Sequence, residues 1–156
     1  MPPILLTFRL IPGLRFSAAR VVGVLEGHGE LDAWSEYDNF VSKTKAAMSR
    51  RMERWALPSD TPTKWFHGFP NDRKHDQCFV FKFGEHRLYG FLCNPQPRSN
   101  PRFRLCVLTI YRAKHEWETD DSVLPQVEQW RTNPASREAV AHIYPEYRGS
   151  TRLWKQ

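Results

Sequence analysis

Two dense apolar runs dominate the hydrophobic pattern of the chain. The first extends from Cys78 to Cys93 and is broken only by Gly84-Glu85, a short turn signal of the kind that joins the strands of a hairpin. The second runs from Phe103 to His115, after Asn94-Pro-Gln-Pro-Arg-Ser-Asn-Pro101. Prolines cannot donate to a sheet ladder, so that stretch is a loop. Three consecutive antiparallel strands are predicted. Their non-core positions carry Lys82, Arg87, Arg104, Arg112 and Lys114, so one face of the sheet is expected to be apolar and the other wet and cationic.

Upstream, Pro2, Pro3 and Pro12 restrict residues 1–17 to extended or irregular structure, either an edge strand or a loosely docked extension. Arg20-Val-Val-Gly-Val-Leu-Glu26 predicts a strand. Asp32 is suited to cap a helix carrying Trp34, Tyr37 and Val41 at helical spacing. A second helix is predicted from Ser42 to Ala56, with Met48, Met52 and Trp55 as its apolar stripe. Its other side bears Lys43, Lys45, Arg50, Arg51 and Arg54, which either solvate the helix or contact phosphates.

Lys64 to Pro70 is aromatic-rich and leads into a polar turn, Asn71 to Gln77. After the three strands, acidic residues at Glu118 to Asp121 suit a helix N-terminus, and Val123, Val127 and Trp130 follow at helical spacing. Pro125 is tolerated in the first turn of that helix. Asn133-Pro134 starts a last short helix through Ile143, and Tyr147 to Gln156 reads as a basic, poorly anchored tail. The expected fold is α+β: a β-meander sheet of about four strands packed on two N-terminal helices, with a C-terminal helix, in a single domain over residues 1–156.

Lys and Arg total 23 against 17 acidic residues, a net charge of +6. That balance suits an anionic partner such as nucleic acid. Cys78, Cys93 and Cys106 all fall in predicted strands, without metal-ligand spacing, and are expected to act as small buried hydrophobes in a reducing cytoplasm. No apolar run is long enough to span a bilayer, so no membrane partner is expected.

The order of elements and several short motifs resemble those of the RelE/HigB-like toxins of bacterial toxin–antitoxin systems, in the RelE/ParE superfamily. Phe79-Val-Phe81-Lys82 resembles that family's Leu-aromatic-x-Leu-Arg strand, and Arg87-Leu-Tyr89-Gly-Phe91 its Arg-x-x-Tyr strand. Leu105 to Lys114 resembles its final strand, with Ala113 in place of one lysine and Thr109 where a histidine is common. The likeness covers about residues 20–131, leaving an N-terminal extension over 1–19 and a C-terminal helix and tail over 132–156.

The resemblance implies a ribosome-dependent messenger-RNA endonuclease that blocks translation. In such an enzyme the RNA's own 2′-hydroxyl attacks the scissile phosphate, with no metal and no cofactor. It also implies a cognate antitoxin encoded next door, with the ribosome and messenger RNA as further partners. Arg87, Arg112 and Lys114 are then the candidates for stabilising the transition-state charge, because guanidinium matches phosphate oxygens in pairs. His115 is the candidate proton carrier, and Tyr111 positions or stacks a base. Lys82, Tyr89, Arg104, Lys43, Arg50, Arg51 and Arg54 are candidate RNA contacts. Strand parity would let Arg104 and Arg112 share a face, and Arg87 and Tyr89 likewise. The rivals are a ParE-like inhibitor of DNA gyrase, a non-catalytic nucleic-acid-binding module and, weakest, a metal hydrolase built on His67, His75 and Asp76.

Overall fold

The computed structural model describes residues 6–29, 32–57, 61–69, 74–113 and 122–149. Six strands, Thr7–Leu10 (β1), Arg20–Glu26 (β2), Phe66–Gly68 (β3), Cys78–Phe83 (β4), His86–Cys93 (β5) and Arg104–Ala113 (β6), form one mixed sheet in the order β1-β2-β6-β5-β4-β3. Only β2 and β6 run parallel; every other neighbouring pair is antiparallel. The helices are Ala33–Asp38 (α1), Ser42–Ala56 (α2), Leu124–Arg131 (α3) and Pro134–Ala141 (α4), followed by a 3₁₀ turn at Pro145–Gly149.

The α+β class and the meander stand as the sequence predicts, but the sheet is larger than the four strands expected, and α1 stops at Asp38, leaving Val41, expected on its apolar stripe, 71% exposed. Thr7–Leu10 joins it as an edge strand, with Phe8 opposite Leu25. Phe66–Gly68 adds a three-residue strand on the far edge, too short for a period to reveal. Capping at α1 and α4 is as expected, while the acidic residues 118–121 expected before α3 lie outside the described residues. Asp32 accepts from the Trp34 amide at 2.9 Å, and Asn133 from the Ala135 amide at 2.9 Å. Pro125 and Pro134 each sit in a helix's first turn, where their missing N–H is harmless.

The expected wet face is not there. The sheet is covered on both sides. On one, α1 and α2 bring Tyr37, Met48, Met52 and Trp55 against Val22, Val24, Phe79, Phe81, Leu88, Cys106 and Leu108. On the other, α3, α4 and the 3₁₀ turn bring Val127, Val140 and Tyr147 against Leu25, Val80, Tyr89, Phe91, Leu105 and Val107. Burial from both sides explains why Leu105 to Ile110 is an unbroken buried run rather than an alternating one. Tyr147 is therefore a core residue, 2% exposed, and not the start of a loose tail.

The register of β5 on β6 contains one irregularity. Gly90 pairs with Leu108 and Tyr89 with Ile110, so Thr109 is an extra residue on β6, a β-bulge. Thr109 is fully buried, and His28 Nε2 makes a 2.6 Å hydrogen bond with its carbonyl, satisfying a group that the bulge removes from the ladder. The extra residue reverses side-chain parity. Leu105 and Val107 face the C-terminal helices, and past the bulge it is Ile110 that does so, while Tyr111 turns to the N-terminal helices.

Candidate nucleic-acid interface

Lys82 pairs with Arg87 across β4 and β5, and Arg87 pairs with Arg112 across β5 and β6. The three half-buried cations thus form one row across three strands. Lys82 shares the parity of Cys78 and Val80, Arg87 that of Tyr89, and Arg112 that of Ile110, so the row lies on the face of the C-terminal helices.

Neutral acceptors orient both guanidiniums. Arg87 Nη1 donates to the carbonyls of Gly84 at 2.6 Å and His86 at 3.0 Å. Arg112 Nη1 donates to the Tyr111 carbonyl at 2.9 Å, and Nη2 to Gln126 Oε1 of α3 at 2.9 Å. Neither arginine has a carboxylate partner among the described residues. Arg87 Nε is buried and unpartnered there as well. Like charges directly opposite on neighbouring strands repel, so Arg87 and Arg112 hold positive potential that no carboxylate among the described residues offsets.

The sheet divides the other candidates. Tyr111 lies on the opposite face, where its hydroxyl is 2.8 Å from His86 Nδ1 and its ring packs at 5.8 Å from Phe40. Burial first, then the charges of Glu36 and Glu85, holds its phenol above the ordinary tyrosine range. Tyr89 shares the face of Arg87, as parity predicts, but is 1% exposed and cannot stack a base from solvent. Arg104 does not share a face with Arg112. The bulge puts it on the parity of Cys106 and at the other end of β6. Lys114 and His115 lie outside the described residues.

On α2, Lys43, Arg50 and Arg54 are exposed, on a helix packed against the face opposite the row. Arg51 is instead bound into the packing, its guanidinium 4.8 Å from the centres of both the Trp65 and Phe83 rings, with Nη1 on the Ala47 carbonyl at 3.1 Å. Burial, with the neighbouring charge of Arg50, lowers its pKa. Cation–π packing gives Arg51 a structural role.

One histidine that the sequence points to only as a metal ligand falls on the face of the row. His67 pairs with Val80, which places it beside Lys82. Its Nδ1 is 2.7 Å from the Gly68 carbonyl. No group of three or more His, Cys, Asp or Glu able to hold a metal ion occurs among the described residues, so His67, His75 and Asp76 do not gather into a ligand set. No helix among those residues is long and apolar enough to cross a membrane. Compared with protein families, curated proteins and solved structures, the chain matches none.

Proposed function

We propose that the protein is a RelE/HigB-like toxin, a metal-independent endoribonuclease that cuts messenger RNA on the ribosome and is restrained by a cognate antitoxin. The observation that carries this reading is the Lys82–Arg87–Arg112 row. Two opposed guanidiniums held by carbonyls and an amide, with no carboxylate partner among the described residues, keep their charge available to an anion. A phosphate between them converts mutual repulsion into paired, charge-assisted hydrogen bonds, and would satisfy the buried Arg87 Nε. Negative charge developing on the phosphorane oxygens during 2′-hydroxyl attack would then meet donors already in place. Such contacts are worth roughly 10²–10³ in rate each.

The proton transfers are assigned to Lys114, His115 and His67. Lys114 and His115 follow Ala113 directly in sequence, and His67 shares the face beside Lys82. The displacement of Tyr111 to the other face favours one second reading, a nucleic-acid-binding module that holds phosphates without cutting. Controlled expression followed by mapping of message 5′ ends separates the two. Cleavage within codons of translated messages, lost in Arg87→Ala, supports the nuclease. Growth arrest with intact messages would leave binding alone.

A further inference from the structure

The opposite end of the sheet holds a cavity of about 500 Å³ that the row does not use. That volume lies within the range of roughly 300–1,000 Å³ usual for small-molecule sites. Its walls come from the end of β5, the start of β6, Gln77, Arg131 at the end of α3, and Tyr147. Three of the ten lining residues, Arg102, Arg104 and Arg131, are arginines, and none is acidic.

Arg131 is committed elsewhere, its Nη2 2.9 Å from Glu128 Oε2. Arg102 and Arg104 are exposed and have no carboxylate partner among the described residues. Arg104 also stands opposite Arg20, whose own Nη1 is taken by the Trp55 carbonyl at 3.0 Å.

The walls are pinned in place. Asn94 Nδ2 donates to the carbonyls of Asn100 and Pro101, both at 3.1 Å. Glu146 accepts from the Ser99 hydroxyl at 2.6 Å and from the amides of Arg98 and Ser99, tying the proline-rich loop to the 3₁₀ turn. A preformed site loses little ordering entropy when it binds.

We propose that this cavity binds a phosphomonoester with a small organic body, its phosphate on Arg102 and Arg104 and its body against Phe103 and Tyr147. The proposal is independent of the RNA-cleaving reading. A carboxylate has oxygens for one guanidinium fork, whereas a phosphomonoester serves two. Inorganic phosphate alone would leave the apolar lining uncovered.

The test is calorimetric titration of the full chain with AMP, adenosine and inorganic phosphate. Saturable one-site binding of AMP is expected, with adenosine and phosphate each about tenfold weaker or more. Arg102→Ala/Arg104→Ala, at exposed positions, weakens AMP at least about tenfold with an unchanged melting temperature, whereas Arg87→Ala/Arg112→Ala leaves it within about twofold. A 5′-phosphorylated trinucleotide binding more tightly than AMP assigns the cavity to an RNA end, and the reverse order to a free metabolite. No saturable AMP binding up to about 10 mM, or AMP binding indifferent to the Arg102/Arg104 change, overturns the site.

Discussion

Arg87 of β5 lies directly across from Arg112 of β6 on the same face of the sheet, and no carboxylate among the described residues separates or neutralises them. A pair of this kind costs stability, by roughly 0.2–1 kcal/mol relative to neutral neighbours. Arg87→Gln and Arg112→Gln each trade that repulsion for lost hydrogen bonds of similar size. Each should therefore change the free energy of unfolding by no more than about 1 kcal/mol, measured by urea denaturation. RNA binding and growth arrest should both be lost. An arrest that survives the double variant would remove the row from the functional site.

A short single-stranded RNA should raise the melting temperature of the wild-type chain, as any ligand of the folded state does. The shift should shrink as salt rises, because phosphate contacts release counterions. Neither effect should appear in the double variant. A salt-independent shift would point to a site other than the cationic row.

His28 stabilises the bulge by binding the Thr109 carbonyl. His28→Ala leaves that buried acceptor unpartnered and should destabilise the protein by about 1–3 kcal/mol, with partial recovery in His28→Gln, which keeps a donor. Deleting Thr109 is a harsher change. It would exchange the faces of Ile110, Tyr111 and Arg112, and should cost more than about 4 kcal/mol or abolish folding. A deletion variant that melts like the wild type would contradict the role given to the bulge.

The glycines of β2 and β5 permit close approach rather than unusual backbone angles. A Cβ on Gly23 would stand 2.3 Å from the Phe8 ring, and one on Gly90 would stand 2.0 Å from the Val107 carbonyl oxygen. The Gly23 Cβ also meets the Arg9 carbonyl oxygen at 2.9 Å, but β1 is a four-residue edge strand that can move with its ring, while β5 is paired on both sides and cannot shift without breaking its ladder. Gly23→Ala should cost about 1–3 kcal/mol, and Gly90→Ala more. Thermal melts of the two variants give the order.

Alkaline pH should weaken the fold through the half-buried Cys93 and the buried Cys106. Burial pushes Cys93 up to about 12, against the opposing influences of Tyr147 and Arg131, and burial, then the neighbouring Cys93, holds Cys106 well above the ordinary thiol range. The unfolded chain ionises these thiols near their ordinary range while the folded chain keeps them protonated. Stability is therefore complete below about pH 8.5 and falls from there towards pH 12, by up to about 1.4 kcal/mol per pH unit for each group. Denaturation curves taken from pH 8 to 11 should show the decline, and Cys93→Ala should flatten it.

Much of this protein was legible along the chain because the signals are local. Ser42 to Ala56 carries its stripe at helical spacing, Asn133 precedes its proline, and Gly84-Glu85 closes the β4–β5 turn. Each depends only on residues a turn or less apart. The cations of the three strands were likewise visible, and the register brings Lys82, Arg87 and Arg112 together.

Three features required the tertiary structure. Thr109 looks like any strand residue, yet as a bulge it parts Arg112 from Arg104 by reversing parity. The second helical layer turns a supposed wet face into core, which takes Tyr89 out of solvent and packs Tyr147 inside. The cavity at the far end joins Gln77, Arg104, Arg131 and Tyr147 from four separate stretches of chain. Composition, caps and periodicity are properties of neighbouring residues and determine elements and net charge. Which side chains share a face depends on register and on what covers the sheet, and those are settled only when distant segments pack.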